Sequence, residues 1–159
     1  MLDILLQINT HTAAGRPLIR GIGGYARRRG PWRFDLDQVP TLELFRSRDL
    51  SVYDGVIFGG RIPGMAEAVA GSGLPAAAVA TPEPVPGFPT VVSDHTAVGR
   101  LAAEHLLDRG LRRFGYVDLR PDPYSHPRGR AFAEALEGHD CRCEFFEPGA
   151  DARQVQQHL

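Results

Sequence analysis

The sequence predicts an α/β fold, a doubly wound parallel sheet with helices on both faces, whose last elements either extend that sheet or begin a second α/β lobe. Three observations carry this. Short apolar runs such as Leu2–Ile8, Asp54–Gly59, Ala76–Ala80 and Phe114–Val117 alternate with stretches of helical periodicity. Turn signals fall between them, at Gly30-Pro31, Gly71, Gly110 and the four prolines of residues 81–89. The 159 residues are 43% hydrophobic, enough for one core and the beginning of another.

The elements follow in order. Leu2–Ile8 reads as a buried strand and Asn9–Gly15 as a polar loop. Pro17 suits the first turn of a helix carrying Leu18, Ile22 and Tyr25 on one face. Trp32–Leu36 alternates as a second strand, Val39–Asp49 holds a short helix, and Asp54–Gly59 is a third strand. Ile62, Met65, Ala66, Val69 and Ala70 form an apolar stripe on a helix ending at Gly71. Ala76–Ala80 and Val91-Val92 are further strands, separated by the proline-rich loop. Ser93 or Asp94 caps a helix with Val98, Leu101, Ala102, His105 and Leu106 directed inward. Phe114–Val117, Arg128–Leu136 and Arg142–Phe146 then read as strand, helix and strand, and Asp151 caps a last helix bearing Val155 and Leu159.

Net charge is −1, so charge alone makes no case for nucleic acid or a membrane surface. All 18 basic residues are Arg. Arg27-Arg28-Arg29 reads as a solvated helix end, cations on the negative end of the dipole, rather than a phosphate patch. Cys141 and Cys143 share one strand face but lie too far apart for a disulfide, and read as incidental thiols of a cytoplasmic protein. The N-terminus lacks a basic region and reads as a strand rather than a signal peptide, and no segment is long enough to cross a membrane.

No catalytic constellation or cofactor motif is recognisable, so the first reading is a binding module rather than an enzyme, with no metal or cofactor. Gly21-Ile22-Gly23-Gly24 resembles part of a dinucleotide fingerprint but lies inside a helix, where close packing is the better reason for it. The loop Asn9-Thr10-His11-Thr12, with Arg16 beyond, either caps a helix or offers hydrogen bonds above the sheet. Arg61 after Gly59-Gly60 is a surface cation or a fork-shaped donor. Asp94 reads first as an N-cap and second as a ligand contact, and His105 as a core or interface histidine. Arg128 opens a helix, where its charge opposes the dipole, and is the most suggestive single residue; Tyr124 lies just before it.

The segment VVSDHTAVGRLAAEHLLDRGLRRFGYV resembles the sugar-sensing domain of lactose-repressor-type regulators, which are periplasmic-binding-protein-like. SHPRGRAFAEAL resembles that family's Ser-loop-Arg element, and AAGRPLIRGIGGYARRRGPWRFDL is similar to the xylose operon regulators. The resemblance implies a first lobe at residues 1–110 and a partial second lobe at 111–159, with sugar held between lobes. It implies a pentose effector, xylose in particular, held by Arg16, Arg61, Asp94 and Arg128 with Tyr124 shielding it. It also implies a homodimer through first-lobe helices near residues 17–29 and 62–70, no membrane partner, and DNA binding only through a C-terminal helix-turn-helix domain absent from this chain. The alternatives are a sugar-binding protein of a transport system and a small α/β enzyme. An incomplete second lobe implies exposed apolar faces, at Phe145 and Val155, and poor solubility.

Overall fold

The computed structural model describes residues 1–59, 62–117 and 123–146. The chain divides into two compact units, Met1–Ser93 and Asp94–Leu159.

The first unit runs β1 (Leu2–Gln7), α1 (Gly15–Arg29), β2 (Trp32–Asp37), α2 (Leu42–Ser47), a 3₁₀ turn at Leu50–Val52, β3 (Gly55–Gly59), α3 (Met65–Ser72), β4 (Ala76–Val79) and β5 (Thr90–Val91). Its five strands are all parallel, in the order β2-β1-β3-β4-β5. The winding reverses between β1 and β3, and ligands of such sheets sit beyond the carboxyl ends of the strands at that reversal. Central strands buried on both faces need continuous apolar runs, and Ile4, Leu5 and Leu6 are all buried.

One face of the sheet carries a dense core. Leu5, Val56, Phe58 and Ala78 pack with Phe45 of α2 and with Met65 and Val69 of α3. The proline-rich loop closes this core: Val85 and Phe88 pack against it, and the Phe88 ring meets Phe58 edge-on at 5.1 Å. The opposite face is looser. Helix α1 buries only Gly15 and Ala26, and a groove of about 510 Å³ remains, lined by Pro17, Leu18, Ile22, Tyr25, Ile57 and Val91 among others.

The second unit comprises α4 (His95–Leu107), β6 (Arg113–Val117), α5 (Ser125–Leu136) and β7 (Arg142–Phe146), with β6 and β7 parallel. Ala103, Phe114, Phe132 and Leu136 form its core, with Cys141 and Cys143 packed beside them.

Several expectations are corrected. Within the second unit α4 packs on α5. The inward face of α4 is His95, Gly99 and Ala103, whereas Val98 and Leu101 are 41% and 63% exposed and His105 is exposed. Gly99 explains the switch: a Cβ there would run into the Arg128 carbonyl oxygen and lie 2.9 Å from Ala131 Cβ and 3.0 Å from Phe132 N. The two backbones approach as closely as small residues permit, and bulkier Val98 and Leu101 are displaced from the seam. Helix α3 starts at Met65 and ends against Gly73, whose φ of 71° is the left-handed C-cap conformation, so Gly71 lies within it. Helix α5 starts at Ser125, which makes Arg128 its fourth residue. The α1 glycines are not explained by close packing: nothing lies within 4 Å of a Cβ at Gly21, and only Arg side chains approach Gly23 and Gly24. The helix expected from Asp151 and its Val155 lie outside the described residues. Phe145 is 56% exposed, as expected.

Candidate functional site

The loop after β1 reaches the carboxyl end of the sheet beside the strand reversal, and its polar groups largely serve its own shape. Asn9 Oδ1 accepts from the His11 N–H at 2.9 Å, an Asx-type turn. Thr12 Oγ1 donates to the Asn9 carbonyl at 2.9 Å and accepts from Gly15 N–H at 3.0 Å. Gly15 is required here, since a Cβ would collide with the Asn9 carbonyl group. Arg16 is exposed and donates to the Thr10 carbonyl at 3.2 Å. These hydrogen bonds shape the loop itself, and Ala14 at the start of α1 makes no side-chain cap. Arg61 lies outside the described residues.

Nearby, an ion-pair network went unrecognised in the sequence. Gln7, fully buried at the end of β1, donates from Nε2 to Asp37 Oδ2 at the end of β2. Arg48, just beyond α2, binds Asp37 with one terminal nitrogen and Asp35 with the other, the latter at 2.6 Å. Tyr53 donates to Asp35 at 2.6 Å. That hydrogen bond, with the Arg48 charge, holds the Asp35 carboxyl below its usual range, while burial and Asp35 push the Tyr53 phenol up. The available signal was Asp35 and Asp37 two apart on one strand face. The network ties α2 and the following turn to the sheet edge, a structural role.

The second unit gathers the other expected residues. Asp94 is exposed and caps α4, its Oδ1 accepting from the Ala97 N–H at 2.8 Å. His95, the first residue of α4, is 9% exposed. Its Nδ1 accepts from Arg128 Nε at 3.0 Å. Its ring lies 5.1 Å from that of Tyr124, and the Arg128 guanidinium carbon lies 5.9 Å from the Tyr124 centroid. So Tyr124 and Arg128 are brought together, and His95, which was not among the expected site residues, joins them.

The cluster has a rigid base. Tyr116 on β6 donates to the Ser125 carbonyl at 2.7 Å, fixing the start of α5. Its ring lies flat against Gly129, where an added Cβ would be 2.7–3.0 Å from three ring carbons. Gly99 and Gly129 therefore set the heights of α4 and Tyr116 against α5, and these heights place His95 beside Arg128. Among the described residues no carboxylate pairs with Arg128. Its terminal nitrogens form a planar fork of N–H donors on a half-buried side chain, over an aromatic face. Such a fork can bind two neighbouring hydroxyls or an anion, and the aromatic ring can cover an apolar surface.

No family model and no curated protein sequence matches the chain. Solved structures do. A structure of the xylose-binding transcription activator XylR superposes with a TM-score of 0.72 at 20% identity, covering 98% of this chain and 42% of that one. A LacI family transcriptional regulator from Enterococcus faecium, with bound ribose, gives 0.68 at 20% identity, covering 90% and 56%. A periplasmic binding protein/LacI transcriptional regulator from Alkaliphilus metalliredigens, complexed with D-xylulofuranose, gives 0.63 at 17% identity, covering 100% and 62%. The chain thus spans less than two thirds of the length of these proteins. The parallel α/β architecture is that of the periplasmic-binding-protein-like fold.

Proposed function

We propose that this chain is the sugar-recognising part of a transcriptional regulator, with a pentose, D-xylose foremost, as effector. The observation that carries the reading is the half-buried Arg128 fork, held against His95 and Tyr124 with no carboxylate on it among the described residues. In this reading Arg128 donates paired hydrogen bonds to neighbouring hydroxyls and the Tyr124 face shields the apolar side of the ring. Asp94 holds α4 by capping it and has a second carboxylate oxygen for a hydroxyl. The chain binds rather than catalyses, and the fold neighbours described with ligands are regulators that hold xylose, ribose or D-xylulofuranose. DNA binding belongs to a separate helix-turn-helix domain, subunits pair through α1 and α3, and the protein works in the cytoplasm.

Calorimetric titration with D-xylose and D-ribose tests the reading. Saturable heat with D-xylose, lost in Arg128→Ala, is expected; unchanged affinity in that variant would refute the site. A sugar-binding subunit of a transporter is the second reading, favoured by a match to an ABC sugar transporter subunit from Rhodobacter sphaeroides with a TM-score of 0.63 at 16% identity. Fractionation of the native host separates the two: cytoplasmic protein supports the regulator, periplasmic protein the transporter.

A further inference from the structure

We infer that His95 is a positioning residue: it holds Arg128 by its Nε edge, so that only the terminal edge of the guanidinium faces ligand. The inference rests on the binding role proposed for Arg128.

The chemistry at the contact is one-directional. A guanidinium has donors and no acceptor, so the nitrogen 3.0 Å from Arg128 Nε must offer a lone pair. His95 is therefore neutral at Nδ1, with its ring proton on Nε2. The contact occupies one of the five N–H groups and fixes the plane of the fork. A free Arg side chain at this place would sample many rotamers and lose that freedom when immobilised. Here much of that ordering is present before a ligand arrives.

The placement of His95 is built in. It is the first residue of α4, one turn before Gly99, which lies against the Arg128 carbonyl. Contact at Gly99 fixes the first turns of α4 against α5, and the Tyr124 ring lies 5.1 Å from the imidazole. The same ring that shields ligand in the proposed site thus packs the histidine that aims the arginine. A His in this position reads in the sequence only as part of the polar turn after β5; its role appears once α4 is packed on α5.

The test uses the whole chain with four variants. Asn can place Oδ1 where imidazole Nδ1 stands, so His95→Asn keeps the acceptor and His95→Leu removes it. D-Xylose affinity is expected to fall about tenfold in His95→Leu, the worth of one oriented hydrogen bond. It should return to near the native value in His95→Asn. In an Arg128→Ala background His95→Leu should add nothing. Native affinity in His95→Leu, or equal weakness of the Leu and Asn variants, overturns the inference while leaving the Arg128 site standing. Native affinity in Arg128→Ala, or no uptake of D-xylose or D-ribose by the unaltered chain, overturns the binding role and this inference with it. Nitrogen-15 spectra of the unaltered chain give a sugar-independent check: a bare, hydrogen-bonded Nδ1 and a protonated Nε2 are expected. A proton on Nδ1 overturns the inference whatever the variants do.

Discussion

Replacing Gly99 by Ala adds a single methyl group, and its effect can be worked from the α4–α5 seam. On an open helix face the change stabilises, because Ala restricts the unfolded chain and propagates a helix better than Gly. At Gly99 the methyl would overlap the Arg128 carbonyl oxygen, with Ala131 Cβ at 2.9 Å and Phe132 N at 3.0 Å. Two of these three atoms are backbone and cannot rotate away, so the helices must separate. Overpacking of this kind costs about 1–3 kcal/mol, against a helix gain of about 1 kcal/mol, leaving a net loss of up to about 2 kcal/mol. For a unit of this size that is a fall of up to roughly 8–16 °C in midpoint. Thermal unfolding followed by far-UV circular dichroism reads it directly. Because the displaced atom belongs to Arg128, D-xylose affinity should fall as well. A Gly99→Ala variant that melts above the native midpoint would show that the two helices do not approach as described.

Four further outcomes are expected. Gly21→Ala, on α1 with nothing near its would-be Cβ, should stabilise by about 0.5–1 kcal/mol in urea unfolding, the reverse of Gly99→Ala. Phe45→Ala, at a side chain 1% exposed in the first core, should cost about 3–5 kcal/mol and shift the urea midpoint accordingly. Asp94→Ala should cost about 1 kcal/mol through loss of the α4 cap, read as a lower thermal midpoint. Asp35 has a lowered carboxyl pKa in the folded state, so its contribution is present above the ordinary Asp value of 3.8 and is lost as pH falls through the lowered value. Tyr53→Phe should move Asp35 back toward 3.8 in an NMR titration, and an unmoved titration would exclude the hydrogen bond as the cause.

The strand-helix alternation was legible because each buried strand is a short apolar run ended by polar, glycine or proline residues, and β1, β3 and β4 emerged where those runs stand. The face of α4 was not legible. Hydrophobicity favoured Val98, Leu101 and Leu106, of which Leu106 does pack against the second core; but a seam formed by backbone proximity selects the smallest residues, and Gly99 and Ala103 carry no hydrophobic signal of comparable size. Arg128 stood out because its charge sits badly at a helix start; its partner His95 lies 33 residues away, and no local pattern links them. The Arg48 network escaped for the same reason, as its members span Gln7 to Tyr53 and meet only when β1, β2 and α2 are assembled.

The uneven covering of the two sheet faces has a consequence for motion. Helix α3 is anchored by Met65 and Val69, at 2% and 0% exposure, whereas α1 spans the apolar groove on little more than Gly15 and Ala26. Opening α1 exposes far less apolar surface than opening α3, so the free energy of local release is smaller. The amide hydrogens of α1 should therefore exchange with solvent ahead of those of α3, through excursions in which one helix lifts while the sheet beneath it stays paired.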